Sequence, residues 1–181
     1  MLNKKMIQAL NEQINREMYS AYLYMSMSAC SNKMGLKGFA NWFMVQYHEE
    51  MFHAMKLYEY VQRQGADVKL ETIKAPPMEF ASQLDMFTQT LAHEQYITKS
   101  INELMDLAME KKDHATQIFL EWYVTEQVEE EENDNDIIAQ LKLIGDNPHA
   151  LLMLDRELTA RQATVPTDFS KGVEAAAKAA A

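Results

Sequence analysis

The chain is poor in several things, and each shortage closes off a class of protein. A single cysteine, Cys30, in 181 residues leaves no intrachain disulfide framework and no Cys-rich zinc or iron–sulfur centre. Lys and Arg number 17 against 27 Asp and Glu, a formal net charge of -10. Phosphate backbones demand a basic face, so nucleic acid is not the expected partner. No apolar run approaches the about 20 residues that cross a bilayer. The opening Met1-Leu2-Asn3-Lys4-Lys5-Met6 has no apolar core of the signal type. A cytoplasmic protein without a membrane partner is the expectation. Five glycines and four prolines leave long stretches uninterrupted. What fills them is Met, Leu, Ala, Glu, Lys and Gln, with 48% hydrophobic residues: an all-α domain with a sizeable core.

Four segments lack internal proline and carry apolar residues at helical spacing. They run from about 4 to 33, 37 to 64, 82 to 110 and 114 to 144. Asn32, Gly35 and Gly38 mark a turn between the first two, and Lys111 to Asp113 a turn between the last two, so each pair should be antiparallel. The stretch from Gly65 to Ala81, with Pro76-Pro77, has no helical period. A helix of about 27 residues is roughly 40 Å long, and about 16 extended residues reach roughly 50 Å. This loop can therefore return the chain along the bundle and set the second and third helices parallel. After Gly145, a plausible stop, Asn147 and Pro148 can open a short fifth helix to about Ala160. The domain is taken as residues 1–160. Residues 161–181 are set apart as a tail ending in Glu174-Ala175-Ala176-Ala177-Lys178-Ala179-Ala180-Ala181, which reads as either an engineered helical spacer or a natural Ala-rich end.

The inner seam of each helix follows alternating steps of three and four. It reads Leu10, Ile14, Glu17, Ala21, Tyr24, Ser28 in the first helix and Phe39, Phe43, Gln46, Glu50, His53, Leu57, Tyr60 in the second. The third gives Leu84, Phe87, Leu91, Glu94, Thr98, Ile101, Met105. The fourth gives Thr116, Leu120, Tyr123, Gln127, Glu130, Asp134, Ile137, Leu141, Ile144. Every seam carries a glutamate close to mid-helix, where four helices meet at one level whichever way they run. Four carboxylates and one imidazole should converge there. Burying even one unpaired carboxylate costs several kcal/mol, and like charges repel. No Lys or Arg lies on these seams at that level, so two metal cations are the natural counter-charge. Glu50 and His53, as Glu-x-x-His, point at one ion from one face. Oxygen donors with one nitrogen suit iron or manganese better than zinc. One Glu-x-x-His pair arises by chance in roughly a quarter of chains this long. The run Glu129-Glu130-Glu131-Glu132 alone would be a solvated face. The coincidence of four helices, matched depth and a histidine in register carries the metal reading.

At these residues the chain resembles the bacterial-type non-haem ferritins of the ferritin-like superfamily. The likeness covers about residues 2–160. It includes Asn11-Glu12-Gln13 with Glu17 and Tyr24, His48-Glu49-Glu50-Met51-Phe52-His53, His93-Glu94-Gln95, and Phe119-Leu120-Glu121-Trp122-Tyr123-Val124-Thr125-Glu126-Gln127. The resemblance implies a ferritin-like four-helix bundle with one long crossover and a short fifth helix. It implies one iron on Glu17, Glu50 and His53 and a second on Glu50, Glu94 and Glu130, with Glu50 bridging and Gln127 bonding beside them. A weaker third iron would use Glu49, Glu126, Glu129 and Glu130. It also implies Fe(II) oxidation by dioxygen or peroxide, a homo-oligomeric shell of 24 subunits and a stored hydrous ferric oxide. Tyr24 is the candidate for an auxiliary redox or hydrogen-bonding role. Trp122 and the fourteen methionines read as packing.

Three other readings share these residues. A bacterioferritin would hold haem on a methionine, and Met51 follows the bridging glutamate. That relative, however, has a second Glu-x-x-His where this chain has Gln127 and Glu130, and no haem is expected. A di-iron oxidase or rubrerythrin-like peroxidase is the enzyme rival, although rubrerythrins need cysteines this chain lacks. A metal-free bundle serving as a scaffold is the third.

Overall fold

A computed structural model describes residues 2–173. Helix α1 spans Lys4–Lys33, α2 Lys37–Arg63, α3 Gln83–Glu110, α4 His114–Ile144 and α5 Pro148–Leu158, and no strand occurs among the described residues. No helix among them is long and apolar enough to cross a membrane.

Polar side chains start most of these helices. Asn3, Ser82 and Asp113 accept from the backbone N–H of Lys5, Asp85 and Thr116, and Asn147 accepts from His149 and Ala150 ahead of Pro148. These are ordinary N-caps satisfying otherwise orphaned donors. Helix α2 has no such residue, since Leu36 precedes it. Its cap comes from α5: Asp155 Oδ1 accepts from Gly38 N at 2.8 Å and Phe39 N at 3.0 Å. A Cβ on Gly38 would fall 1.5 Å from the Asp155 carbonyl oxygen. Gly38 therefore serves close approach inside α2, and Asn32 lies within α1. Of the three expected turn residues only Gly35, at φ +81°, makes the turn.

The crossover behaves as its length requires. Asn11 Nδ2 donates to Asp67 O at 3.2 Å, Asn15 Nδ2 to Glu71 O at 3.3 Å and Ser26 Oγ to Pro77 O at 2.5 Å. The loop thus climbs α1 over 15 residues, roughly 22 Å. It delivers α3 antiparallel to α1, as the contacts Ser31–Gln83, Ser20–His93 and Gln13–Ser100 show in order. The bundle is the single-crossover kind, with α1 paired to α2 and α3 to α4.

The expected seams of α1, α2 and α4 are buried throughout except Ile144, which is partly exposed. Helix α3 is rotated from expectation. Leu84, Leu91, Thr98 and Met105 are only partly buried, while Met86, Thr90, Ile97 and Leu104 are inside. Two partners pull on it: Met86, Thr90 and Ser100 bond α1, whereas Thr98 bonds α4. A single three-four stripe cannot describe a helix that faces two neighbours.

Residues 161–173 return along α2: Arg161 reaches Glu49, and buried Val173 donates its N–H to Glu59 Oε1 at 2.7 Å. The Ala-rich stretch 174–181 lies outside the described residues.

Candidate metal centre

Glu17, Glu50, His53, Glu94 and Glu130 are all buried at one level of the bundle, and two apolar clusters lie on either side of them. Three of the four glutamates are held by a glutamine amide. Gln13 Nε2 donates to Glu17 Oε1 at 2.8 Å, Gln46 Nε2 to Glu130 Oε2 at 2.8 Å and Gln127 Nε2 to Glu94 Oε2 at 3.1 Å. Gln13 is fixed in turn, its Oε1 accepting from Ser100 at 2.8 Å and Arg16 at 3.1 Å. Tyr24 donates its hydroxyl to Glu94 Oε1. Glu50 has His53 instead, with Nδ1 at 3.6 Å from its Oε2. The Tyr123 hydroxyl pins the His53 carbonyl at 2.8 Å.

The atoms left without partners are the telling ones. Glu17 Oε2, Glu50 Oε2 and His53 Nε2 are buried and make no hydrogen bond. Buried polar groups are rarely left so. The ligand atoms of Glu17, Glu50 and His53 lie within 4.8 Å of one another, as do those of His53, Glu126 and Glu130. This is a cradle of hard oxygens and one nitrogen with the geometry for cation binding.

Electrostatics agree. Burial, then the charge of Glu94, pushes Glu50 well above the ordinary carboxylate range. Burial raises Glu94 to about 6 and Glu130 to about 8. Burial by itself would lower His53, but Glu50, Glu126 and Glu17 prevail and hold it well above its usual value. Without a cation the centre retains protons at neutral pH.

The Ferritin family model, described as a ferritin-like domain, matches residues 7–144. The chain belongs to the ferritin family. It is 44% identical over 161 residues to the bacterial non-heme ferritin of Staphylococcus epidermidis, covering 89% of this chain and 97% of the relative. The Staphylococcus aureus protein of the same name is 41% identical over the same shares. An open pore ferritin from the hyperthermophilic archaeon Archaeoglobus fulgidus is 51% identical in its crystal structure, with a TM-score of 0.89 over 90% of this chain and 100% of that one.

Set against the ferritin pattern, the structure gathers Glu17, Glu50 and His53 as one set. Glu94 is turned toward Tyr24 and Gln127, so the second close set uses Glu126 with His53, at 3.8 Å from Nε2, and Glu130. Of the residues expected around a third ion, Glu49 is bonded to Arg161 at 2.8 Å and Glu129 is exposed. Several participants carried no role in the sequence reading, Gln46 and Tyr123 among them. Gln13 sits four residues before Glu17, a spacing that could have flagged it. Asp134 was on the seam; it is buried with both oxygens unpaired and raised by burial, Glu94 and Glu130 to about 9. Lys56 lies 3.2 Å above the Trp122 ring, with burial lowering it to about 8. Arg161 had no local signal at all, since it lies in the segment set apart as tail.

Proposed function

We propose that this ferritin-family chain oxidises Fe(II) at the buried glutamate–histidine centre and stores the Fe(III) as a hydrous ferric oxide within a cytoplasmic homo-oligomeric shell of 24 copies. The observation that carries this reading is the set Glu17, Glu50 and His53, buried together with ligand atoms within 4.8 Å of one another and an unpaired polar atom on each residue. Iron is the substrate and the cargo. Glu17, Glu50 and His53 take one Fe(II). Glu50, Glu94 and Glu130 take the second once Glu94 leaves Tyr24 and Gln127. Binding expels the protons that burial retains on Glu50 and Glu130. Two Fe(II) ions then give one electron each to dioxygen, which with two protons leaves as hydrogen peroxide; peroxide itself is the alternative two-electron acceptor. Carboxylate oxygens favour the harder Fe(III) product. Glu49, Glu126, Glu129 and Glu130 form the auxiliary third site, and Tyr24 a hydrogen-bonding or electron-donating partner. The relatives are named non-heme, and haem has no part in this proposal.

The test is aerobic addition of Fe(II) to the metal-free protein, followed by ferric absorbance, beside the double variant Glu50→Ala, His53→Ala. Fast oxidation in the parent alone, with iron held in solution far beyond two per subunit, supports the proposal. Oxidation that stops at two irons points to a di-iron enzyme. A haem band in the purified protein would move the reading to bacterioferritin.

A further inference from the structure

Arg161 follows α5 by three residues and belongs to none of the four bundle helices, yet it reaches the metal centre. Its main chain is fixed independently of its side chain: Asn41 Nδ2 donates to Leu158 O at 3.2 Å and Arg161 O at 2.9 Å. The guanidinium lies 4.4 Å above the Trp42 ring and donates to the Trp42 carbonyl at 3.4 Å. Its Nη2 donates both to Glu49 Oε2, at 2.8 Å, and to Gln46 Oε1. Gln46 spends its own amide on Glu130 Oε2 at 2.8 Å. One cation therefore holds Glu49 directly and Glu130 through a single glutamine.

The surroundings explain why a cation is needed there. Glu49 is almost wholly buried and feels the charges of Glu126 and Glu129, against which Arg161 acts. The guanidinium does for Glu49 what an iron ion would do. An ion on the same oxygen would sit at close range to the guanidinium with the same sign of charge, so the two cations compete for Glu49. With 22% of its side chain exposed, Arg161 has a route outward. The Trp42 face offers it a resting place after release, since cation–π contact survives loss of the carboxylate.

We propose that Arg161 is a positioning residue and tethered counter-cation for the auxiliary site: its guanidinium occupies Glu49 until iron takes that carboxylate, and Gln46 couples the exchange to Glu130. The inference rests on the auxiliary-site reading given under Proposed function. It makes third-ion binding an exchange of one cation for another. The third ion is then held more weakly than the paired ions by construction, and its capture loosens the amide that restrains Glu130.

The test is calorimetric titration of the metal-free assembled protein with Zn(II), which binds such oxygen and nitrogen donors but is not oxidised. Arg161→Gln removes the resident cation while leaving the Asn41 clamp on the main chain. It should tighten the weaker class of sites about tenfold, or reveal a third ion where the parent shows two, with a smaller change in the tight class through Gln46 and Glu130. Arg161→Lys, whose ammonium lacks the planar fork, should fall between parent and Arg161→Gln, and it carries the test alone if the glutamine variant does not assemble. In a Glu49→Gln background the Arg161 substitutions should make no difference. A third ion bound equally well by parent and Arg161→Gln overturns the Arg161 proposal and leaves the auxiliary site standing. No ion beyond two in either protein overturns both. Anomalous diffraction from Zn(II)-soaked parent crystals gives a direct view: the ion on Glu49 with Arg161 withdrawn is expected, and an ion coexisting with the Arg161–Glu49 bond refutes the exchange.

Discussion

The middle of this bundle and its two ends are built from the same four helices on opposite principles. Toward one end Tyr24, Phe39, Phe43, Met86 and Phe87 pack with Ile137 and Leu141; toward the other Met6, Leu10, Ile14, Leu57, Ile101 and Leu120 do the same. Those ends satisfy themselves, burying apolar surface at roughly 25 cal/mol per Å². The middle does not: Glu17, Glu50, His53 and Asp134 bury polar atoms without partners. Stability resides at the ends, and the centre spends some of it to hold carboxylates where a cation can find them.

The sharpest way to separate the two regions is to break each alone. Partners of metal ligands are worth about 10–100-fold by themselves, so Glu50→Ala, His53→Ala should slow Fe(II) oxidation by more than about 100-fold in stopped flow. Its metal-free thermal stability should hold or rise, because buried polar atoms without hydrogen-bond partners are removed. Leu10→Ala should do the reverse, costing about 2–5 kcal/mol in denaturant unfolding while oxidation stays within about twofold. If the double variant unfolds as readily as Leu10→Ala, the division between ends and centre is mistaken.

Proton linkage sharpens the comparison next. Glu94, Glu130 and Asp134 are held at about 6, 8 and 9, above their unfolded values. Groups raised in this way stabilise the fold fully below the unfolded carboxylate range, and that contribution disappears as pH climbs through the folded values. The unfolded chain binds fewer protons over this interval, so stability must fall with rising pH. Raised His53 acts in the same sense. The melting temperature of metal-free protein should therefore drop from pH 5 to pH 9, and bound Zn(II) should flatten the slope. A metal-free profile rising over that range would show that the carboxylates ionise freely.

Much of this was readable beforehand, and the failures are local. The three-four spacing placed Glu17, Glu50, His53, Glu94 and Glu130 at one level because helical rise and seam periodicity are fixed by backbone geometry. The same arithmetic allowed the crossover to return along the bundle; that it runs on α1 came from the structure. It failed on α3, where contacts to α1 and α4 compete. It also failed on Gly38, whose role depends on α5 more than a hundred residues later. Arg161 was illegible because a single arginine beyond the last helix has no period to betray it. Asp134 was in view on the α4 seam, but a seam position does not reveal whether a partner faces it.

Asp134 supplies the next smaller effect. Its carboxylate is buried with neither oxygen bonded, and holding it protonated at neutral pH is costly. Asp134→Asn removes that protonation cost at nearly constant volume. It should stabilise the metal-free protein at pH 8 by on the order of 1–3 kcal/mol, with little gain at pH 4, as read by chemical unfolding. A loss of stability at pH 8 would mean that the carboxylate has a partner in solution.

The smallest expected effect sits where the centre meets an apolar end. Tyr24 packs on Phe43, ring centroids 6.4 Å apart, and meets His93 edge-on at 6.2 Å, while its hydroxyl donates to Glu94. It belongs to both regions. Tyr24→Phe keeps the packing and removes only the donor, leaving Gln127 to hold Glu94 by its other oxygen. Burial already raises Glu94, and the Tyr24 bond is the first influence opposing it. The variant should therefore shift the protonation midpoint of Glu94 upward and move the acid limb of the oxidation profile with it. Near neutral pH the rate should fall a few-fold, within about tenfold, and recover toward the parent as pH rises. A uniform loss at every pH would instead mean that Tyr24 supplies an electron, because redox assistance does not depend on the Glu94 proton. Rates and intermediates identical to the parent at all pH values would leave Tyr24 as a core aromatic and nothing more.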